Sequence, residues 1–273
     1  MTPNAHDAPA DAWDNPLRGL GSFITKTFVI AELEARRLRH DPTELISRAV
    51  QPALWLLIFG EVFARVRGIG TANYQAFITP GILAQSVLFI AIFYGIAIIW
   101  ERDLGIIHKF LVSPIPRTAL VLGKALSAGV RALSQAIIIY GLALLIGIHL
   151  NWHLFALVGV VVFVILGAAL FSTFSLVIAL IVKTRERFMG IGQILTMPLF
   201  FASNAIYPIA LMPRWLQVVS HLNPLTYEVD ALRSLMLVGA ISGYGLLLDF
   251  AVLFLVTVLL VIIGGLLYPR VVT

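Results

Sequence analysis

The sequence predicts an all-α polytopic membrane protein with six transmembrane helices. Of its 273 residues, 60% are hydrophobic and only 12% are charged, and the mean hydropathy is +0.97. Soluble domains carry about twice that share of charged residues, so a soluble fold could not cover this much apolar surface. The apolar residues fall into six continuous stretches, each long enough to cross about 30 Å of hydrocarbon as a helix. These observations exclude a soluble enzyme.

The residues before the first apolar stretch divide into two parts. Residues 1–17 contain three aspartates and three prolines without an apolar run, and they are predicted to form a disordered tail. In residues 18–40, apolar side chains recur every three or four positions between arginines and glutamates. This spacing predicts an amphipathic helix that lies in the plane of the membrane interface. A surface helix that packs on a partner protein is the alternative interpretation.

The predicted spans are helical because their apolar runs are continuous, whereas the strands of a membrane barrel would alternate. They cover residues 46–66, 77–100, 120–148, 154–182, 188–211 and 246–268. No internal repeat divides the chain, so residues 18–273 are interpreted as one transmembrane domain.

The basic residues predict an orientation. Fourteen of the 19 Lys and Arg residues lie in the N-terminal segment, the loops around 101–124 and 183–187, and the C-terminus, whereas four lie on the opposite side. Because basic residues accumulate on the cytoplasmic side, both termini are predicted to be cytoplasmic. The net charge of +5 is spread in short clusters between spans, which favours membrane orientation over nucleic-acid binding.

Ionisable residues near the spans give no catalytic signature. Glu61 and Asp249 fall near the outer span ends, and Arg131 can extend its side chain to the cytoplasmic surface, so the roles of all three stay open. The only histidine pair at helical spacing, His149 and His153, is predicted to cap a turn. The sequence contains no HExxH, GxSxG or phosphate-binding loop, so no catalytic, cofactor-binding or metal-binding residue is predicted.

Residues 101–117 form the most informative cytoplasmic loop. Glu101 stands near its start, Leu104, Ile107 and Leu111 form an apolar stripe, and prolines follow residue 113. This pattern predicts a short helix held against the membrane surface. An ordinary amphipathic connector would have the same pattern.

Two sequence blocks with distinctive motifs stand about 90 residues apart. The first reads LVSPIPR at residues 111–117, with LGK at 122–124. The second contains YP at 207–208, MPRWL at 212–216, NPLTY at 223–227 and ALR at 231–233. Both blocks resemble ABC-2 type transporter permeases, and with the six spans and the N-terminal helix the resemblance covers roughly residues 18–270.

The resemblance implies the membrane subunit of an exporter in a bacterial inner membrane, working with a second permease copy and two copies of a separate ATPase subunit. ATP and Mg²⁺ would bind to that ATPase, and this chain would hold neither. Residues 18–40 would be the interfacial connecting helix, 101–113 the coupling helix that docks on the ATPase, and 208–240 short external re-entrant helices. The coupling residues would be Glu101, Arg102, Leu104, Ile107, Lys109 and Leu111.

The family fold further implies a translocation pathway formed by spans one, two and five at the dimer interface. The residues expected to face it are Gln51, Trp55, Phe59, Gln85, Phe89, Tyr94, Gln193, Phe200 and Asn204. Each of them could equally pack or hydrogen-bond between helices. Their apolar and aromatic character favours an amphiphilic drug- or lipid-like cargo, and lipo-oligosaccharide or polysaccharide is the alternative.

Two rival classes need no ATPase. A secondary transporter or channel would call for two inverted halves or an ion site at mid-membrane, and an intramembrane hydrolase would need a nucleophile beside a base. The sequence offers none of these features.

Overall fold

A computed structural model of the protein describes residues 50–64, 73–104, 117–182 and 184–267. Within these ranges the chain forms eight helices and no β-strand, which confirms the predicted all-α class. The helices are α1 (residues 50–64), α2 (Tyr74–Asp103), α3 (Arg117–Leu145), α4 (Leu154–Ile181), α5 (Arg185–Phe201), α6 (Arg214–Leu222), α7 (Pro224–Met236) and α8 (Leu246–Leu267). The predicted tail 1–17 and interfacial helix 18–40 lie outside the described residues.

Four helices are long and apolar enough to cross a membrane. Their apolar segments are Tyr74–Phe93, Ala128–Leu145, Leu154–Ile181 and Leu246–Leu267. The helix α4 contains no charged residue and α8 contains one, so only a bilayer or other helices can accommodate their surfaces. The multi-pass membrane class predicted from the sequence is therefore supported by α2, α3, α4 and α8.

The helix α1 contains a π-helical turn at Trp55–Phe59, followed by an α-helical end at Gly60–Ala64. Its described apolar part, Val50–Phe63, is shorter than a full membrane crossing and begins at the edge of the described region. The predicted count of six spans therefore stays a prediction. A π-helical turn widens the backbone locally and is frequent at functional sites.

The fifth predicted span differs from the structure at its C-terminal end. The sequence predicts a helical span over 188–211 in a region that prolines interrupt, but α5 ends at Phe201 and a short 3-10 turn follows at Ile209–Leu211. The segment between them is irregular, and Pro208 ends it. The helix therefore ends before the predicted span does, because apolar composition alone does not reveal where a helix ends.

The helix α4 lies at the centre of the fold and contacts α2, α3, α7 and α8. Small side chains such as Ala168 and Ala169 on α4 and Ala132 on α3 are buried at these interfaces. They let helix backbones approach closely, as is typical of membrane helix packing. The hydroxyl of Ser175 on α4 donates a hydrogen bond to the carbonyl of Ile92 on α2, which joins these two helices.

One end of the bundle gathers the irregular segments. The backbone N–H of Asn151 donates to the carbonyl of Met236 over 2.8 Å, which joins the α3–α4 loop to the end of α7. The hydroxyl of Tyr74, at the start of α2, donates to the carbonyl of Ile206 over 2.8 Å. We call this end, which holds residues 202–245, the α6/α7 end.

Candidate functional site at the break after α5

The opposite end of the bundle, which we call the Trp100 end, carries the first predicted coupling residues. Glu101 and Arg102 lie in the last turn of α2, and the side chain of Leu104 just after it is 68% exposed. The guanidinium of Arg185 lies 3.8 Å from the centre of the Trp100 ring and so joins the start of α5 to the end of α2. The other predicted coupling residues, Ile107, Lys109 and Leu111, lie outside the described residues.

Three of the predicted pathway residues form one aromatic cluster. The Trp55 ring stacks on Phe59 with centroids 4.3 Å apart, and it meets Phe200 of α5 edge-on at 5.6 Å. Gln51 and Phe59 are exposed, and Trp55 is half-buried. Together with neighbouring aliphatic side chains, Gln51, Trp55 and Phe59 line a shallow cavity of about 420 Å³. The π-helical turn therefore presents a largely apolar, aromatic face.

The remaining predicted pathway residues are dispersed. Gln193 is exposed on α5, Phe89 is half-buried on α2, and Asn204 is half-buried in the break. Gln85 is buried inside the protein, as is Phe200 beneath the Trp55 ring. Tyr94 lies within α2.

The break after α5 exposes backbone carbonyls that need hydrogen-bond donors, because a helix end leaves its last carbonyls unpaired. Two donors come from nearby in the sequence. The side-chain amide of Asn223 donates to the carbonyl of Leu199 over 2.6 Å, and the hydroxyl of Tyr207 donates to the carbonyl of Phe201 over 2.7 Å. Both bonds replace partners that a continuing helix would have supplied.

A third donor, Arg233 of α7, joins three segments of the chain. Its guanidinium donates to the carbonyl of Asn204 over 2.5 Å and to the carbonyl of Phe77 on α2 over 3.4 Å. It also lies 3.9 Å from the centre of the Phe77 ring. Burial lowers the pKa of Arg233 to about 10, and the nearby Asp230 opposes that shift, so the guanidinium stays charged at neutral pH. We call these contacts the Arg233 tie.

The break also packs backbone against backbone. Gly81 of α2 faces Ala205, and a Cβ atom added at Gly81 would meet the Ala205 carbonyl oxygen and lie 2.7 Å from its Cα. Real Cβ atoms do not approach other atoms so closely, so only glycine permits this contact. The break is therefore held to α2 by hydrogen bonds and by close packing.

The helix α7 carries a buried acid that has no hydrogen-bond partner in the structure. Glu228 has no exposed surface, and neither of its carboxylate oxygens is hydrogen-bonded. It packs against Gly167 of α4, where an added Cβ would lie 2.5 Å from its Oε2. Burial raises the pKa of Glu228 well above its ordinary value, because an apolar environment disfavours the charged form.

Neither Glu228 nor Arg233 stands out from the sequence as a buried residue, since charged residues of a short external helix are expected on its surface. Their contacts arise from α2, α4 and the break, which only the fold brings next to α7. Among the described residues, no three His, Cys, Asp or Glu side chains are grouped as a metal site requires. The prediction that ATP and Mg²⁺ bind to a partner subunit is not tested by these contacts.

A comparison with protein-family models identifies the family to which the chain belongs. The family model described as ABC-2 type transporter matches residues 25–237, which is most of the chain. The chain belongs to the ABC-2 type transporter family. The match includes the described helices α1 to α7, the break and the Arg233 tie, and it confirms the resemblance found in the sequence.

Three relatives agree with the family. The chain is 32% identical to transport permease ycf38 of Cyanophora paradoxa, over 78% of this chain and 74% of the relative. It is 25% identical to the daunorubicin resistance ABC transporter permease protein DrrB1 of Streptomyces coeruleorubidus, over 82% of this chain and 79% of the relative. It is 26% identical to inner membrane transport permease YadH of Escherichia coli strain K12, over 77% of this chain and 83% of the relative.

As an ABC-2 permease, the protein is a transmembrane subunit of a transporter in a membrane that it crosses several times. Members of this family are non-catalytic, and the family implies an ABC ATPase as partner.

Proposed function

We propose that this ABC-2 permease is the membrane half of an exporter that moves an amphiphilic drug- or lipid-like cargo outward. Two copies of a separate subunit hydrolyse the ATP, and a second permease copy completes the pathway. The exposed face of α1 and α5 carries the proposal. Over residues 50–59 and 189–201, the exposed side chains are apolar or aromatic, apart from Gln51 and Gln193. Such a face suits a second permease and an amphiphilic cargo better than an ion or a free sugar.

The relatives favour the same cargo class. DrrB1 is named for resistance to daunorubicin, a drug, and this chain aligns with most of it. Export of lipo-oligosaccharide or polysaccharide is the alternative, and it would call for more polar groups than this face offers. The relative YadH is named an inner membrane permease, which favours that location. In this proposal both termini and residues 101–113 are cytoplasmic, and the α6/α7 end with its re-entrant region 208–240 is external.

Reconstitution tests the proposal. The permease, co-purified with its ATPase subunit, is placed in vesicles with a fluorescent aromatic drug such as daunorubicin. We expect the drug to move only when ATP is supplied on the ATPase side. Transport by the permease alone, driven by an ion gradient, would instead identify a secondary transporter.

Coupling to the ATPase is expected to depend on the apolar stripe of residues 101–113. Replacing Leu104, Ile107 and Leu111 with aspartate places three charges in an apolar contact. We expect ATPase co-purification to fall by about tenfold or more, with membrane insertion unchanged. The matched control is Val238→Asp with Ile241→Asp, two exposed apolar residues at the α6/α7 end. Equal ATPase recovery from both variants would rule out docking through 101–113.

The aromatic cluster is expected to select the cargo. Trp55→Ala removes the ring that stacks on Phe59 and covers Phe200, and such ring contacts contribute about 1 kcal/mol each. We expect transport of aromatic amphiphiles to fall by about two- to tenfold relative to aliphatic ones. Phe254→Ala, which removes an exposed ring stacked on Phe250 of α8, is the control. A uniform change across a panel of compounds would contradict a role in selection.

A further inference from the structure

Two buried aspartates meet at one serine hydroxyl between α7 and α8. The Oγ of Ser242 lies 2.7 Å from Oδ2 of Asp230 on α7 and 3.0 Å from Oδ2 of Asp249 on α8. Asp230 is 6% exposed and Asp249 is not exposed at all. The hydroxyl therefore links the segment 237–245 to a carboxyl group on each of the two helices.

The hydrogen atoms at this site can be counted. The backbone N–H of Gly245 donates to Ser242 Oγ over 2.7 Å, and that of Tyr244 donates to Asp230 Oδ2 over 3.1 Å. A serine hydroxyl has a single hydrogen, so it can donate to one carboxylate only. If both aspartates were ionised, one carboxylate oxygen would face a serine lone pair. Sharing the single hydrogen between both carboxylates would make two weak bonds, so the two short distances favour a hydrogen on one of the carboxyl groups.

The contacts around the two carboxyl groups indicate which of them carries the hydrogen. Asp230 Oδ2 already receives both the Ser242 hydroxyl and the Tyr244 N–H, and Arg233 lies one turn further along α7. Asp249 is fully buried, and its Oδ1 has no hydrogen-bond partner in the structure. A buried carboxylate without such partners is costly, whereas a carboxylic acid at Asp249 can donate to Ser242.

We propose that Asp249 holds a proton at neutral pH and donates it to Ser242 Oγ, while Ser242 donates its own hydrogen to Asp230 Oδ2. The three side chains thus form a proton-dependent latch between α8 and α7. The ligand of this site is a proton rather than a metal cation. The amide N–H groups of Tyr244 and Gly245 both point into the cluster, and they would repel a cation.

Other ionisable groups near the latch could also make the stability depend on pH, and their contribution has to be distinguished from that of Asp249. They are Arg233, Glu228 and Tyr227 on α7, Tyr244 in the connecting segment and His221 on α6. The helices α3 and α2, which pack on α8 and α7, carry further ionisable groups, among them Arg131 and Tyr74. The helix α4, which packs on both α7 and α8, has none. Burial raises the pKa of Tyr244 to about 12, so this group stays neutral in the test below. His221 is hydrogen-bonded to the Tyr244 hydroxyl. It is present in every variant compared, so it does not account for a difference between them.

Thermal unfolding of the full chain in detergent between pH 5 and pH 9 tests the latch. A carboxyl that keeps its proton only in the folded chain stabilises at low pH, and this stabilisation is lost as the pH rises. We expect the wild-type Tm to fall by about 5 °C over this range relative to Asp249→Asn, whose amide can still donate to Ser242. Ser242→Ala should lower Tm at every pH. Ser234→Ala, whose hydroxyl bonds only within α7, should keep the wild-type slope.

A wild-type pH slope in Asp249→Asn would overturn the proposal. If that variant does not fold, infrared spectroscopy supplies a second test. In Glu228→Gln, which removes the other fully buried carboxyl group, the carbonyl band of a protonated carboxyl should remain at pH 7. Loss of that band would also overturn the proposal. Neither measurement depends on ATP or on cargo, so their outcomes are independent of the proposed export function.

Discussion

Replacing Gly81 with alanine is expected to lower the stability of the protein by about 3 kcal/mol, the upper end of the usual cost of overpacking. The added Cβ would meet backbone atoms of Ala205, and backbone cannot rotate away as a side chain can. The break is also fixed by the Arg233 tie and by Tyr74. Thermal unfolding and the yield of monodisperse protein in detergent measure the effect.

Gly141→Ala provides the control for this prediction. Gly141 lies within α3, and a Cβ added there would meet nothing within 4 Å. Alanine favours the helix by up to about 1 kcal/mol over glycine, so this variant should be as stable as the wild type or more stable. Equal Tm values for Gly81→Ala and Gly141→Ala would show that Ala205 of the break is not in close contact with Gly81 of α2.

Replacing Arg233 with methionine is expected to release the break from α2 and α7. The change keeps most of the side-chain volume but removes the donors to Asn204 and Phe77, and hydrogen bonds from charged groups contribute about 1.5–3 kcal/mol. It also leaves Asp230 without its nearby positive charge. We expect a loss of about 3 kcal/mol, measured by thermal unfolding.

A labelling experiment locates the effect of Arg233→Met. The chain has no cysteine, so Ser203→Cys introduces a single thiol at a buried position within the break. Maleimide labelling of that thiol should be slow with Arg233 present and at least about tenfold faster in Arg233→Met, as expected for local opening. Arg214→Met, at the exposed start of α6, should leave both Tm and labelling unchanged. Equally slow labelling of the thiol in Arg233→Met would show that other contacts hold the break in place.

The sequence predicted the spanning helices well because an apolar run is itself the physical requirement for crossing a bilayer. The span predicted at 154–182 corresponds to Leu154–Ile181, and that at 246–268 to Leu246–Leu267. The end of α5 was missed, because the break depends on donors from Asn223, Tyr207 and Arg233 as well as on prolines. Hydropathy does not register such donors.

The candidate site was predictable only in part. The sequence named Trp55, Phe59 and Phe200 as pathway residues, and the structure brings their rings together. The Arg233 tie was not predictable, since Phe77 is 156 positions away and neither residue carries a local signal of the other. The same holds for Gly167, whose lack of a side chain matters only because Glu228 occupies that space.

The Arg233 tie limits how this permease can move. Since one guanidinium joins the first part of α2, the break and α7, separating these segments would cost its hydrogen bonds, and we expect them to move together. Changes in helix packing are then expected at contacts outside these three segments. The contact between Trp55 of α1 and Phe200 of α5 is one of them, because rings that meet edge-on can slide without breaking a hydrogen bond.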